Sequence, residues 1–212
     1  MHRPSDWLLY GILDLGYVSP QKASGMVDCM AAGGVDAIQL RAKNVPPGKL
    51  IPVARELRAQ CRQAAIPLII NDHLHLALQV DADGLHWGQD DGRLQDARQE
   101  LPPGTLLGRS THSLAQARAA VEEGADYIGF GPLFATPTKP DYQPIGMSDI
   151  ARCHQEVALP IFCIGGVKTS NLSQVLQAGA RRVVVVSEIL QSVNPTETCR
   201  QLKQQLSAAD SC

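Results

Sequence analysis

The stretch SLAQARAAVEEGADYIGFG, residues 113–131, contains the pattern that decides the fold. Ser113 is a helix-capping residue, and the apolar residues after it recur at helical spacing up to Gly124, a residue that commonly ends helices. The run Tyr127–Phe130 that follows is short and apolar, as expected of a buried parallel strand. The stretch therefore predicts a helix that leads directly into a strand.

The same junction recurs along the chain. AGGVDAIQL (residues 32–40), DADGLHWG (81–88) and AGARRVVVV (178–186) each place glycine or a small residue before an apolar run, which is a weak internal repeat. A second helix is predicted from Asn171 to Gly179. Alternating strands and helices predict a parallel sheet with right-handed crossovers. Eight apolar runs favour a closed (β/α)8 TIM barrel over an open doubly wound sheet, and they are Leu8–Leu13, Ala37–Leu40, Leu68–Ile70, Gly84–Trp87, Leu106–Gly108, Tyr127–Phe130, Ile161–Ile164 and Arg182–Val186.

Length and charge restrict the class of protein. The 212 residues suit one domain, 1–212, and a net charge of -2 gives no reason to expect binding to nucleic acid or to a membrane surface. The chain has no apolar run of about 18 residues, which a membrane-spanning helix would need. The N-terminal MHRPSDWLLYG lacks the apolar stretch of a signal peptide, and the six cysteines are scattered. We therefore expect reduced thiols and a cytoplasmic protein. The sequence leaves a homo-oligomer open.

Polar side chains lie at the end of the second predicted strand and directly after it. In a barrel of this kind the active site lies at the C-terminal ends of the strands. Gln39, Arg41 and Lys43 alternate along an extended chain and therefore share a face. Such a cluster of hydrogen-bond donors suits a phosphate group. The alternative is an exposed turn with solvated charges.

Acidic side chains follow the next two strands. Asp72 comes after the third strand, and Asp90 and Asp91 come after the fourth, so Asp72 and one acid of that pair are expected to lie close together. Carboxylates at a mouth that admits water and phosphate suit Mg²⁺. Alternatively, Asp72 caps the helix containing Leu74–Val80, and the acid pair belongs to a polar turn with Gly92.

Strands five and six are followed by hydroxyl and ammonium groups. Because Ser113 is the expected cap, Ser110 is left for a substrate. The irregular segment Pro132–Gly146 is long for a loop, and such loops are often functional. It contains Thr136, Thr138 and Lys139, which offer donors to a phosphate. The segment is also suited to act as a lid that excludes water.

The last two strands end in residues suited to a phosphate site. Gly165 and Gly166 follow strand seven, and Val186 and Ser187 follow strand eight. In (β/α)8 barrels a phosphate is frequently bound here by backbone N–H groups and the start of a short helix. Two anion pockets are therefore predicted, and the residues alone indicate a barrel enzyme that acts on phosphorylated substrates.

Seven motifs together resemble the thiamine phosphate synthase family, in order and along nearly the whole chain. They are QLRAK, IINDH, GLHWGQDD, STHS, GADYIGFGPLFATPTKPD, IGGV and VVVVSEI. The resemblance implies a (β/α)8 barrel, Mg²⁺ dependence and two small-molecule substrates. These are the diphosphate of hydroxymethyl-aminopyrimidine and a hydroxyethyl-thiazole phosphate or its carboxylated form. It also implies a dissociative reaction, in which pyrophosphate leaves first and the thiazole nitrogen captures a pyrimidine-stabilised carbocation.

The resemblance further implies a role for each matched residue. The pyrimidine diphosphate would be bound by Gln39, Arg41, Lys43 and Asn71, and Ser110 and Lys139 would contact its diphosphate and pyrimidine. The metal would be bound by Asp72 and Asp91. The thiazole phosphate would be bound by Thr136, Thr138, Gly166, Val186 and Ser187. The catalytic groups would be Lys139, Ser110, Arg41 and Lys43. No protein nucleophile is implied.

The chain departs from the family pattern at Leu13, His73 and the pair Gly92-Arg93. Three alternatives remain open. A related thiazole tautomerase typically carries histidine where this chain has Pro132. Another phosphate-binding barrel would act on a sugar or indole phosphate. A non-catalytic sensor of thiamine precursors would bind these ligands without turnover.

Overall fold

Eight parallel strands pair in chain order around a closed barrel in the computed structural model, which describes residues 2–43, 45–136 and 143–210. The last strand pairs with the first, Leu9 opposite Val183, and this pairing closes the barrel. The predicted (β/α)8 fold is thereby confirmed. The strands are β1 (Leu9–Asp14), β2 (Ala37–Arg41), β3 (Leu68–Asn71), β4 (Gly84–Trp87), β5 (Leu106–Thr111), β6 (Tyr127–Phe130), β7 (Ile161–Cys163) and β8 (Val183–Val185).

Helices connect the strands on the outside of the barrel. They are α1 (Pro20–Ala32), α2 (Pro47–Gln63), α3 (Leu74–Gln79), α4 (Leu94–Glu100), α5 (Leu114–Glu122), α6 (Ile150–Glu156), α7 (Leu172–Gln177), α8 (Ser187–Leu190) and α9 (Pro195–Asp210). The predicted cap of α5 is confirmed, since the Ser113 side chain accepts from the Gln116 N–H. None of the helices within the described ranges is long and apolar enough to span a membrane.

Apolar residues form two cores, one on each side of the strands. The larger core lies between the barrel and its helices. The smaller core fills the barrel interior, where the rings of Trp7, Tyr10, Tyr127 and Phe162 pack with centroids 5.6–6.0 Å apart. Trp7 precedes β1, so this aromatic cluster blocks the N-terminal half of the barrel. In the described part of the barrel, the space that can hold a ligand lies toward the C-terminal ends of the strands.

Several predicted strand ends were too early. β1 runs to Asp14, β2 to Arg41, β3 to Asn71 and β5 to Thr111, so the strands extend into their polar ends. The physical reason is that the neighbouring strands continue the ladder there, as in the pairing of Asp14 with Arg41. Four of the predicted polar ligands, Gln39, Arg41, Asn71 and Ser110, are therefore held on strands rather than on loops.

Candidate active site at the barrel mouth

One cavity at the C-terminal ends of the strands gathers most of the predicted ligands. Its lining includes Gln39, Arg41, Asn71, Ser110, Thr136, Gly166, Val186 and Ser187. Lys43, Asp72 and Asp91 are not part of this lining, but Lys43 and Asp72 come shortly after the lining residues Arg41 and Asn71. They contact each other, with Lys43 Nζ 3.3 Å from Asp72 Oδ2. Thr138 and Lys139 lie outside the described residues. The predicted ligands that are described are thus brought to one end of the barrel.

Arg41 is fixed by an acid that the sequence analysis did not select. Its guanidinium forms an ion pair with Asp14, whose side chain is 5 % exposed. The other oxygen of Asp14 accepts from the N–H of Gly16 at 2.8 Å. Because Asp14 lies at the end of β1 beside Arg41 on β2, the carboxylate holds the guanidinium at the cavity wall. Its position at the end of a strand was the available signal.

Two carboxyl groups meet at the mouth. The Asp72 carboxyl lies within hydrogen-bonding distance of the Asp91 carboxyl, so Asp91 is the acid of the predicted pair that reaches Asp72. Burial is the main cause that raises the pKa of Asp72, and the neighbouring Asp91 raises it further, while Lys43 acts in the opposite direction. Two like charges are held together here, which is costly unless a proton or a cation is bound.

The local backbone turns Asp72 toward this site. Its φ of +62° is in the left-handed region, which aspartate tolerates better than most residues. The alternative prediction that Asp72 caps α3 was wrong, because His73 occupies the N-cap position. The indole of Trp87 donates to the Asp72 carbonyl at 2.8 Å and so fixes the turn.

The loop that carries Asp91 is braced from outside the barrel. Arg109 is 5 % exposed, and its guanidinium donates to the carbonyls of Gly88 and Gly92 at 2.8 and 2.9 Å. Within the loop, the N–H of Gly88 donates to the Asp91 carboxylate at 2.6 Å. Arg109 alternates with Ser110 along β5, so one residue braces the loop while the other lines the cavity.

The loops after β6 and β7 are packed tightly against each other. The N–H of Leu133 donates to the carbonyl of Ile164 at 2.8 Å, and that of Phe134 to Gly165 at 3.0 Å. Gly166 has a φ of +68°, and a Cβ there would lie 2.7 Å from the Cβ of Phe134. The predicted glycine pair is therefore required by packing as well as being placed for a ligand.

Three of the departures from the family pattern have a local structural explanation. Leu13 is fully buried in the outer core. A Cβ at Gly92 would lie 3.3 Å from the ring of Trp87, and its φ of +135° also favours glycine. Arg93 forms an exposed ion pair with Asp96. These residues do not line the cavity.

A hydrogen-bonded chain of side chains crosses the barrel beneath the mouth, and most of it was missed from the sequence. It includes Tyr10, Tyr127 and His86, and it connects the predicted ligands Gln39 and Ser110. The available signal was alternation, because each of these residues faces inward on its strand. Their hydroxyl and imidazole groups belong to buried side chains.

Comparison with known proteins places these features in a family. The sequence profile described as thiamine monophosphate synthase matches residues 9–189. A thiamine-phosphate synthase of Chloroflexus aurantiacus is 42% identical over 199 residues, covering 93% of this chain and 92% of the relative. One of Halalkalibacterium halodurans is 41% identical, covering 92% of each chain. The solved thiamine phosphate pyrophosphorylase of Pyrococcus furiosus superposes with a TM-score of 0.88 at 28% identity, covering 97% of this chain and 98% of that one.

Proposed function

The chain belongs to the thiamine monophosphate synthase family and works as a thiamine-phosphate synthase, and we propose that its barrel mouth carries out this reaction in two steps. The hydroxymethyl-aminopyrimidine group is transferred from its diphosphate to the nitrogen of a thiazole phosphate. The products are thiamine phosphate and pyrophosphate. The observation that carries the proposal is the convergence of the matched phosphate-binding residues on one cavity with an acid pair at its rim.

We place the two substrates on opposite sides of the cavity. Arg41 and Lys43 supply positive charge on the β2 side, and they bind the diphosphate, with Gln39 and Asn71 beside the pyrimidine. On the other side the mouth is formed by backbone after β7 and β8. There the thiazole phosphate is bound through Gly166, Val186, Ser187 and Thr136. The family resemblance assigns Thr138, outside the described residues, to the same phosphate.

The acid pair fits a divalent cation. Asp72 and Asp91 supply carboxylate oxygens, which Mg²⁺ prefers, and a bound cation would offset the repulsion that raises the pKa of Asp72. Among the described residues no three His, Cys, Asp or Glu side chains form a set that could hold a metal. Mg²⁺ would therefore complete its ligand shell with water and substrate phosphate. When bound, it would neutralise charge on the diphosphate.

Charge stabilisation by the protein lowers the barrier to the first step. The bond between the pyrimidine methylene carbon and the diphosphate oxygen breaks, and its electron pair leaves with pyrophosphate. Arg41, Lys43 and Lys139 stabilise the developing negative charge, and Ser110 contacts the pyrimidine or its diphosphate. Arg41 needs no reorganisation for this task, because Asp14 already holds its guanidinium at the cavity wall.

The second step joins the two substrates. The lone pair of the thiazole nitrogen forms a bond to the methylene carbon of the pyrimidine carbocation, and no protein nucleophile takes part. Water has to be excluded, since it would capture the cation instead. The start of the loop after β6 can help to exclude water, because the backbone N–H groups of Leu133 and Phe134 donate hydrogen bonds to the loop after β7 and close the cavity wall between the two loops.

The same residues distinguish this reaction from the alternatives. Pro132 lines the cavity in the position where the related tautomerase carries histidine, and proline cannot transfer a proton through a side chain. The acid pair and Arg41 have no use in a thiazole isomerisation. We also propose that the protein is cytoplasmic and acts without a nucleic-acid or membrane partner.

The experiment is a turnover assay with matched acid variants. Purified chain, Mg²⁺ and both substrates are mixed, and thiamine phosphate is measured for the parent, Asp91→Asn and Asp90→Asn. We expect product from the parent, a loss of at least about 100-fold in Asp91→Asn, and little change in its exposed neighbour. No product from the folded parent would refute the synthase. A test of thiazole isomerisation would then separate a tautomerase from a sensor.

A further inference from the structure

Five side chains from five strands form one continuous hydrogen-bonded chain across the barrel. Gln39 Nε2 donates to the Tyr10 hydroxyl at 2.9 Å, and the Tyr10 and Tyr127 hydroxyls lie 3.1 Å apart. The Tyr127 hydroxyl is 3.2 Å from His86 Nδ1, and His86 Nε2 is 3.0 Å from Ser110 Oγ. All five residues line the proposed substrate cavity, and Ser110, at one end of the chain, is the one that is not buried.

The chain is shielded from bulk water. Gln39, Tyr10, Tyr127 and His86 are all less than 9 % exposed, and both phenols are fully buried. Burial is the main cause that raises the pKa of Tyr10 and of Tyr127, so each phenol keeps its single proton. Each hydroxyl therefore has one proton to donate, and an unmade hydrogen bond here would be costly.

Counting these protons gives the chain one direction. Tyr10 accepts from Gln39, so its own proton is donated to Tyr127. Tyr127 then donates to His86 Nδ1, which must be unprotonated in order to accept. The imidazole proton is therefore on Nε2, and it is donated to Ser110 Oγ.

The Gln39 amide sets this direction. If its oxygen faced Tyr10 instead, every proton would reverse, His86 would carry its proton on Nδ1, and Ser110 would donate to the ring. With the amide nitrogen toward Tyr10, the Ser110 oxygen accepts from His86 and its own proton is directed to another acceptor. Ser110 lines the cavity, so a ligand bound there can supply that acceptor.

We propose that Tyr10, Tyr127 and His86 are positioning residues, and that their one-way chain of hydrogen bonds holds His86 in the Nε2–H tautomer. In this tautomer His86 donates to Ser110, and the Ser110 hydroxyl in turn donates to an acceptor atom of the pyrimidine diphosphate. The identity of the acceptor rests on the proposed function, whereas the direction of the chain does not. The chain selects substrates that offer a lone pair to Ser110. A substrate that offered an N–H at that place would leave two donors facing each other.

The first test is the tautomer of His86 in the intact protein. The chain is produced with ¹⁵N-labelled histidine, and the ring nitrogens are observed by NMR, with His86→Gln used to assign the signals among the six histidines. We expect a protonated Nε2 and an unprotonated Nδ1 at neutral pH. Tyr127→Phe should shift this pattern, because Nδ1 loses its donor. A protonated Nδ1 in the parent would overturn the proposal.

A matched variant separates this role from simple packing. Thr111 is fully buried on β5, and its hydroxyl donates to the Gly129 carbonyl at 2.9 Å, outside the chain. Thr111→Val should lower stability and leave the His86 tautomer unchanged. If it moved the tautomer as much as Tyr127→Phe does, the effect would be general loosening of the core, and the chain would have no specific role.

The second test is a kinetic double-mutant cycle. Tyr127→Phe should raise the KM for the pyrimidine diphosphate about 2- to 10-fold, the effect of one hydrogen bond, with a smaller change in the KM for the thiazole phosphate. In a Ser110→Ala background the same change should have almost no effect, because Ser110 is the group through which the chain acts. Additive effects would overturn the proposal.

Failure of the proposed function would look different. An Nε2–H tautomer in a protein that forms no thiamine phosphate would refute the synthase and the assignment of the acceptor, while supporting the direction of the chain. The reverse result, turnover with an Nδ1–H tautomer, would refute the chain and leave the synthase intact.

Discussion

Replacing Asp14 by asparagine is expected to destabilise the protein substantially, although the two side chains have almost the same shape. The asparagine oxygen can still accept from the Gly16 N–H, so the change removes mainly the charge that faces Arg41. The Arg41 side chain is 13% exposed and its carboxylate partner 5%. The variant therefore leaves a largely buried guanidinium without its counter-charge.

Removing one partner of a buried ion pair costs about 3–5 kcal/mol. Because Arg41 lines the cavity and its guanidinium can be partly solvated there, we expect the lower end, about 3 kcal/mol of the free energy of unfolding. For a chain of this length that loss lowers Tm by about 6–12 °C. The activity should also fall, since Arg41 is no longer fixed beside the diphosphate.

Urea unfolding of the parent and of Asp14→Asn measures this loss. The matched control is Asp96→Asn, which breaks the exposed pair with Arg93 and should leave the unfolding midpoint nearly unchanged. If both variants unfolded at the midpoint of the parent, the ion pair would not hold Arg41, and our account of the preorganised diphosphate side would be wrong.

Three further predictions concern the rest of the mouth. Burial and Asp91 raise the pKa of Asp72, so the free energy of unfolding of metal-free protein should rise as pH falls from neutrality toward 3.8, the ordinary pKa of aspartate. Urea unfolding should show a smaller rise for Asp91→Asn, and a rise equal to that of the parent would contradict the pairing of Asp72 with Asp91. Gly166→Ala should raise the KM for the thiazole phosphate more than the KM for the pyrimidine diphosphate in steady-state assays, because the new Cβ would displace Phe134. Equal rises in the two KM values would argue against binding of the thiazole phosphate beside Gly166. Arg109→Lys should raise the Mg²⁺ concentration needed for half the maximal rate several-fold, because it releases the loop that carries Asp91. An unchanged Mg²⁺ titration would show that Arg109 does not hold this loop.

The barrel could be predicted from the sequence because its signals are local. Each of the four glycine-bearing junctions combines a helix end with a buried strand, and together with the eight apolar runs they leave few folds to choose from. Strand ends could not be placed as well. Ser110 reads as part of a polar turn, yet β5 includes it, because pairing with β6 stabilises strand residues whose own sequence is not apolar.

The site was predictable only in part, for a related reason. Gln39 lies near the end of one apolar run and Asp72 lies just after another, so their place at the mouth follows from the barrel itself. The partnership of Asp14 with Arg41 and the chain through Tyr10 and His86 depend on contacts between strands far apart in sequence. Tyr127 reads as one more apolar residue in a strand, and only the closed barrel shows that its hydroxyl meets two polar partners.

The ratio of the two products shows whether the cavity joins the pyrimidine to the thiazole. Purified chain is incubated with Mg²⁺ and both substrates, and thiamine phosphate and pyrophosphate are quantified in the same samples, with a chelator added to a parallel set. The account predicts equal amounts of the two products and neither in the chelated samples. Pyrophosphate released without thiamine phosphate, or no product from folded protein, would contradict it.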